Sequence, residues 1–293
     1  MKQLFILTLF GLFSWTMRAQ TTDSSAVFKA NFLRNEYQRY EVTKTIYTLQ
    51  RKDTSDLVRI GFKAEVLVTD SLENSYILKW KISNYFINTS DLYLQKLMGL
   101  AAPVAVSYRI SKPGVFEEFI TGTSATSCLE AGLPKVLDAF KDLSDSTSKA
   151  EVAKIYALRE NLETLILGFM IQFHAFHGLG YTLGEVVDVP VEITSRFSSK
   201  TLPGIQRKKL TTIDTTNQTA VMAYATLLDR TGYRKALTEN LKVDIQSFKS
   251  FQLNDFGSMM IDLHTGWPIW SMDQRESQAG TTTYGEQLEI QYK

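Results

Sequence analysis

The sequence is poor in cysteine, histidine and proline. Its 293 residues include one cysteine, Cys128, three histidines and six prolines. A single cysteine excludes an internal disulfide, so the fold must be stabilised by its core. Because Cys128 lies far from the N-terminal apolar segment, that segment cannot carry the lipid-linked cysteine of a bacterial lipoprotein.

An excess of charge of one sign is also missing. The chain has 32 basic and 31 acidic residues. This balance argues against a nucleic acid or an anionic membrane surface as the partner. Beyond the N-terminal segment, the most apolar run covers residues 162–173 and contains Glu163 and Gln172. It is too short to span a bilayer, so we expect no transmembrane segment after the leader is removed.

The N-terminus has the pattern of a secretory signal peptide. Lys2 precedes an apolar run from Leu4 to Trp15, and Ala19 is a small residue that suits a cleavage site. We therefore predict export to the periplasm or the extracellular space as a soluble protein without a lipid anchor. The exported chain should begin at or near Gln20, which its intact mass would reveal.

Several segments alternate apolar and polar residues with a period of two, among them 38–49, 58–70 and 75–83. This alternation predicts antiparallel strands with one face on the core and one in water. The segment 63–80 also aligns without gaps with 207–224 at an offset of 144 residues. One interpretation is a duplicated strand unit, and the other is that any two hairpins resemble each other.

The strongest helical pattern covers residues 149–177, where apolar residues recur at spacings of three and four. From Leu165 to Phe173 almost no polar face remains, which predicts burial on several sides. A shorter amphipathic helix is predicted over 134–143. The sequence thus favours an α+β fold in which a curved antiparallel β-sheet packs on a long central helix and shorter helices.

This pattern divides the chain into three predicted parts. They are a signal peptide over 1–19, a polar N-terminal lead-in over 20–36, and a single domain over 37–293. Within the domain we predict a first strand unit over 37–127, a helical middle over 128–187, and a second strand unit over 188–293.

Large aromatic and apolar side chains provide the candidate ligand-binding residues. They lie on the predicted strands, on the long helix and in the C-terminal hairpin: Trp80, Phe169, Met170, Phe173, Trp267 and Trp270. Trp267 and Trp270 are an odd number of residues apart, so on a regular strand they point to opposite faces. This spacing favours a turn between two strands over a stacking platform.

Two histidines, His174 and His177, form an H-x-x-H pattern on the predicted helix. This spacing can place two imidazoles near one metal ion, which makes them weak metal-site candidates. Structural histidines at a helix end are the favoured interpretation. No catalytic constellation or cofactor motif is recognised, so neither an enzyme nor a cofactor is expected.

The order of these pieces resembles an uncharacterised family of exported, β-rich bacterial proteins of the Bacteroidota type. The resemblance rests on the glycine-turn hairpin of residues 107–122 and on the C-terminal pattern Asp262-x-x-Thr265-Gly266-x-Pro268. The family's shape is similar to that of the periplasmic lipoprotein carriers. This implies a curved antiparallel sheet wrapped around helices.

The favoured function is therefore a non-enzymatic exported protein. We expect it to bind an apolar or amphiphilic small molecule, or an envelope partner protein, between sheet and helix. One alternative is a carbohydrate-binding or hydrolytic accessory protein, which the 12% aromatic content suggests. The other alternative is a structural envelope protein. An apolar cavity would favour the first function and an exposed row of aromatic residues the second.

Overall fold

The computed structural model describes residues 24–50, 53–89, 95, 103–120, 166, 168–194, 201–228, 252–279 and 281–293. In this part of the chain, 72% of the residues lie in strands and 5% are helical. The predicted leader over 1–19, the predicted helix over 134–143 and Cys128 lie outside the described residues.

Thirteen strands form the described part of the fold. In chain order they are β1 (Ser25–Val27), β2 (Tyr37–Gln50), β3 (Asp53–Ser71), β4 (Ser75–Asn88), β5 (Val104–Ser111), β6 (Phe116–Phe119), β7 (Gly180–Thr182), β8 (Val186–Thr194), β9 (Thr201–Asp214), β10 (Thr219–Leu228), β11 (Gln252–Asp262), β12 (Pro268–Ala279) and β13 (Thr282–Tyr292).

Eleven of these strands form one antiparallel sheet in the order β6-β5-β4-β3-β2-β13-β12-β11-β10-β9-β8. Each neighbour in this order is also a neighbour in sequence, except where β2 pairs with β13. That pairing joins the two halves of the chain, with Val42 opposite Ile290. The remaining two strands, β1 and β7, form a small antiparallel pair.

The strands bury alternate residues, which defines an inner and an outer face of the sheet. On β4, Leu78 and Trp80 are buried while Lys79 and Lys81 are on the other face. A continuous row of buried side chains crosses the inner face from β9 to β2: Leu210, Met222, Met259, Ser271, Ile290 and Val42. Such a row shows that the apolar alternation in sequence is used to build one core.

Segments 63–80 and 207–224 both form antiparallel hairpins, β3–β4 and β9–β10. In both, the second strand begins at matching positions, Ser75 and Thr219. The pairing differs, however, because Val66 lies opposite Trp80 while Leu210 lies opposite Met222 instead of Tyr224. The two hairpins therefore share their faces but differ by two residues in register.

The predicted α+β class with a long central helix is wrong, because the described residues form mostly β-sheet with one short helix. Ile166 and residues 168–173 are helical, and a turn follows over 174–178. Gly178 ends this turn with a φ of 82°, a conformation that favours glycine. Beyond it, the valine-rich segment Val186–Thr194 is strand β8, although the sequence places its start in a helical middle. The predicted helix residues 149–165 lie outside the described part.

Residues 24–33, here called the strap, cross the inner side of the fold before β2. The sequence places them in a predicted polar lead-in, but alternate residues of the strap are buried: Ala26, Phe28, Ala30 and Phe32. Phe32 joins the core cluster of the β2–β5 half, and Phe28 joins that of the β9–β11 half. The strap thus connects the two halves of the core.

Among the described residues, no helix is both long enough and apolar enough to cross a membrane.

Candidate ligand site on the inner face of the sheet

Four of the predicted ligand-binding residues, Trp80, Phe169, Met170 and Phe173, come together in the core. Their side chains are all 0% exposed. The ring of Phe173 meets the ring of Trp80 edge-on at 5.3 Å, and Phe169 meets Phe62 edge-on at 5.2 Å. These contacts fill the space between helix and sheet with protein side chains.

The other two predicted residues, Trp267 and Trp270, lie apart from each other. Trp267 is buried on the inner side, where its ring stacks on Phe32 at 3.9 Å. Trp270 lies opposite Met260 on β11, and its indole nitrogen is 3.4 Å from Oε1 of the outward-facing Glu289. The two indoles do not form a common platform.

The Asp262–Pro268 stretch is the turn between β11 and β12, as its spacing predicts. The Asp262 carboxylate accepts hydrogen bonds from the backbone N–H groups of His264 at 2.8 Å and Thr265 at 2.9 Å. Gly266 follows with a φ of 82°, which favours glycine. The motif therefore has a local structural role in shaping this turn.

His174 and His177 hold the end of the helix against strand β5 and the β11–β12 turn. His174 Nε2 lies 2.8 Å from the hydroxyl of Tyr108, which in turn accepts a 2.8 Å hydrogen bond from the Trp80 indole. His177 Nε2 lies 2.8 Å from the carbonyl of Gly266. Burial lowers the pKa of His177 to about 4, and burial lowers the pKa of His174 well below its usual value. Both imidazoles are therefore neutral at physiological pH.

The described residues show no metal-binding group around these histidines. In the part of the chain that the structure describes, no group of three or more His, Cys, Asp or Glu side chains is arranged to hold a metal ion.

A second set of inner-face residues was not predicted from the sequence. It consists of charged and hydroxyl-bearing side chains on five neighbouring strands and is here called the ionic cluster: Lys44, Tyr224, Asp255, Asp273, Arg275 and Glu286. Cross-strand pairing brings them together, with Asp273 opposite Leu288 and Arg275 opposite Asp255 and Glu286. They continue the inner face beyond the buried apolar row.

Two ion pairs organise the ionic cluster. Arg275 donates from Nε and Nη2 to one carboxylate oxygen of Asp255, at 3.1 and 2.6 Å. Lys44 Nζ lies 2.8 Å from Glu286. Charge-assisted hydrogen bonds of this kind are stronger than neutral ones, so each pair fixes its two side chains relative to the sheet.

Asp273 forms no salt bridge with another described residue, and its side-chain hydrogen bond is to Tyr224. Its Oδ1 atom is buried without a hydrogen-bond partner among the described residues. Gly257 separates it from Tyr224, and a Cβ atom at Gly257 would lie 2.5 Å from the Tyr224 ring. The missing side chain therefore lets Tyr224 lean across β11 towards Asp273.

Burial controls the protonation of this cluster. Burial raises the pKa of Asp273 to about 6, and the nearby Asp255 charge adds to that effect. Burial also raises the pKa of Asp255, although the Arg275 guanidinium opposes the shift. The pKa of Tyr224 is well above its usual value because of burial and the adjacent Asp273.

Three side chains of the ionic cluster are partly accessible to solvent. The side chains of Arg275, Lys44 and Glu286 are 30%, 24% and 20% exposed, whereas Asp255 is 5% exposed. Apolar side chains of intermediate exposure stand beside them on the same face: Ile46, Val58 and Leu288. A polar and an apolar surface therefore meet on the inner side of the sheet, and this junction is the candidate ligand site.

We expect Asp273→Asn to stabilise the protein at pH 8 by up to about 3 kcal/mol. The folded-state pKa of Asp273 is raised from 3.8 to about 6, so the folded state binds its proton more tightly than the unfolded state does. The resulting penalty is absent below about pH 4 and complete above about pH 6. Urea denaturation at pH 8 and pH 4 checks this, since the gain should appear only at pH 8.

Asp188→Asn is the matched control for this prediction. Asp188 forms an exposed pair with Arg207 at 3.2 Å, a geometry that contributes little to stability. An Asp273→Asn protein that loses the same stability at both pH values would contradict the raised pKa.

The sequence contains only a weak signal for the ionic cluster. On β12 the inward positions are Ser271, Asp273 and Arg275, which are polar residues where a core strand normally has apolar ones. Polar residues at these core-facing positions indicate a polar site with a functional or structural role. However, Lys44 lies more than a hundred residues from its partner Glu286 in the sequence, so spacing alone could not group the two residues.

No protein-family model matches the chain. No curated protein matches it significantly. The chain is similar to a chain in the solved structure described as "Lipid-protein interactions in lipovitellin", with a TM-score of 0.49 and 9% sequence identity. The similarity covers 90% of this chain and 25% of that chain, so this chain spans about a quarter of its length.

Proposed function

We propose that this protein binds an amphiphilic small molecule on the inner face of its sheet. In this proposal the apolar part of the ligand contacts Ile46, Val58 and Leu288. Its polar end lies against Lys44 and Arg275. Binding takes place outside the cytoplasm, after removal of the leader predicted for residues 1–19.

The observation that carries the proposal is the contrast between two parts of one face. Where Phe169 and Phe173 pack on the sheet, the side chains are fully buried. Around Lys44 and Arg275, solvent reaches both charged groups and apolar side chains of the same face. Partly buried apolar side chains that solvent still reaches, beside hydrogen-bond donors, are what an amphiphile would cover.

The charges of the ionic cluster favour a ligand with an uncharged polar end. Lys44 and Arg275 are already neutralised by Glu286 and Asp255. A charged end group would have to separate one of these pairs, which leaves a partly buried charge without its partner. A hydroxyl or ester carbonyl instead can accept a hydrogen bond from an N–H group of Lys44 or Arg275 that the pairs do not use.

We expect Ile46→Ser to weaken binding of the neutral fluorescent probe N-phenyl-1-naphthylamine about tenfold, because the substitution removes roughly two buried methylene equivalents. Glycerol monolaurate should displace the probe from the unmodified protein more effectively than laurate or dodecylamine. The three compounds have the same chain length and differ in the charge of the end group. Fluorescence titrations at pH 7.5 measure both effects.

Ile205→Ser is the control, because Ile205 is 42% exposed and lies on the outer face. It should leave probe binding unchanged. Equal weakening by both substitutions, or the absence of any saturable probe binding, would contradict a ligand site at this place.

A further inference from the structure

The strap, which includes β1, lies in a groove that is built from β7 and from loops next to the large sheet. Its alternate residues Ala26, Phe28, Ala30 and Phe32 point into the protein, while Lys29 and Asn31 are exposed. A period of two along an extended chain is how a peptide presents every second side chain to a binding surface. The strap therefore contacts the rest of the protein in the manner of an extended peptide ligand.

Besides the β1–β7 pairing, backbone hydrogen bonds hold the strap to three separate loops. After the helix, Leu179 accepts from Phe28 at 3.1 Å and Gly178 donates to Phe28 at 2.8 Å. In the β5–β6 turn, the Pro113 carbonyl accepts from Ala30 at 3.2 Å. In the β11–β12 turn, the Thr265 carbonyl accepts from Asn31 at 2.9 Å. None of these contacts requires a strand of the large sheet to separate when the strap leaves.

Two aromatic pockets hold the strap side chains. Phe28 contacts the Tyr181 ring at 5.6 Å, and Phe32 stacks on Trp267 at 3.9 Å. Phe32 also approaches Tyr76 at 5.5 Å. Both phenylalanines are almost fully buried, so they are the anchors of the strap.

The groove is bordered by glycines in the left-handed conformation. Gly114, Gly178 and Gly266 have φ values of 100°, 82° and 82°. At Gly266 a Cβ atom would lie 2.2 Å from the carbonyl oxygen of Lys29 in the strap. The turn around Gly266 is therefore shaped to let the strap backbone approach closely.

A short exposed hinge joins the strap to β2. Asn35 has a φ of 67°, and its N–H donates to the carbonyl of Val68 at 2.8 Å. Leu33, at the strap side of this hinge, is 71% exposed. A segment that is bound through its own side chains and joined to the sheet by an exposed hinge has a geometry that allows exchange between identical chains.

We infer that the groove is an acceptor site for the strap of a second copy of this chain. The second copy carries the same residues, so its strap would make the same hydrogen bonds and fill the same aromatic pockets. Only the hinge conformation and the association of two chains distinguish the exchanged form from the closed form. The exchanged form therefore increases with protein concentration.

Disulfide trapping between two full-length variants tests this inference. Both variants carry Cys128→Ser. One also carries Asn31→Cys in the strap, and the other carries Thr265→Cys in the groove. The backbones of these positions are joined by a 2.9 Å hydrogen bond, which brings them close enough for a disulfide when strap and groove come from different copies. Both positions lie outside the aromatic pockets, so the variants should keep the fold.

The expected result is a disulfide-linked heterodimer of the Asn31→Cys and Thr265→Cys variants. Its yield should rise with protein concentration under native conditions. A chain with both cysteines is the positive control and should close within itself. The matched negative control replaces Thr265→Cys by Thr216→Cys, in the exposed β9–β10 turn. With this variant, the yield of disulfide-linked dimer should remain at background.

Two results would overturn the inference. One is a yield for the Asn31–Thr265 combination that equals that of the Thr216 control at every concentration, while the double-cysteine chain closes normally. The other is capture of a synthetic peptide of residues 24–33 with cysteine at position 31, without any linkage between two copies. In that case the groove would accept a free segment but not a second folded chain.

Discussion

Replacement of Phe173 by alanine should lower the free energy of unfolding by about 3–5 kcal/mol. Phe173 is 0% exposed and meets Tyr40 edge-on at 5.2 Å and Trp80 at 5.3 Å. Truncation would remove these contacts and leave a cavity that the surrounding rigid aromatic rings cannot close. Urea denaturation, with an unchanged dependence on urea concentration, measures the loss.

Ile171 provides a control on the same helix, because its side chain is 62% exposed. Ile171→Ala should change stability by less than about 0.5 kcal/mol. A Phe173→Ala protein that loses less than about 1 kcal/mol would indicate that the space around Phe173 is not tightly packed. Probe binding near Lys44 should be the same in both variants, since the proposed site does not include this helix.

Gly266→Ala should destabilise the protein by about 2–4 kcal/mol, combining backbone strain with overpacking. The φ of 82° places any added Cβ in a conformation that favours glycine. At this position the Cβ would also lie 2.2 Å from the Lys29 carbonyl oxygen. The strap must then shift, which weakens its hydrogen bond to Thr265 and the contact of His177 with the Gly266 carbonyl. Thermal and urea unfolding measure the loss.

Gly184 separates the two causes of this effect. It has a similar φ of 80°, but no heavy atom lies within 4 Å of the point that a Cβ atom would occupy there. Gly184→Ala should therefore show the backbone strain alone, about 1 kcal/mol. Equal losses at Gly184 and Gly266 would mean that the close approach of the strap contributes nothing to stability.

The strand faces were predictable because their signal is local. Tyr76, Leu78, Trp80 and Ile82 alternate with other residues along β4, and the structure buries all four on one side of the strand. The alternation indicates which residues face water, and it does not depend on which strand lies next to this one. The turn at Asp262 was predictable for the same reason, since an aspartate followed by Thr-Gly satisfies its hydrogen bonds within a few residues.

The helical middle was predicted to extend too far towards the C-terminus. Residues 174–178 form a turn, and β7 and β8 begin at Gly180 and Val186. Apolar residues continue at helical spacing to Phe176, but that spacing does not show where tertiary contacts end the helix. The strap was missed for a related reason. Its alternation of Ala26, Phe28, Ala30 and Phe32 is clear, but small residues and a Lys29 between them give a low average hydrophobicity.

By itself the sequence determined the alternation of buried and exposed residues, the positions of the tight turns and the apolar character of the helix end, because each depends on neighbours along the chain. The tertiary structure alone decided that β2 pairs with β13, with Val42 opposite Ile290. This long-range pairing brings Lys44 to Glu286 and completes the face that carries Asp273 and Arg275. Which strands become neighbours depends on the packing free energy of the whole sheet, which no local pattern contains.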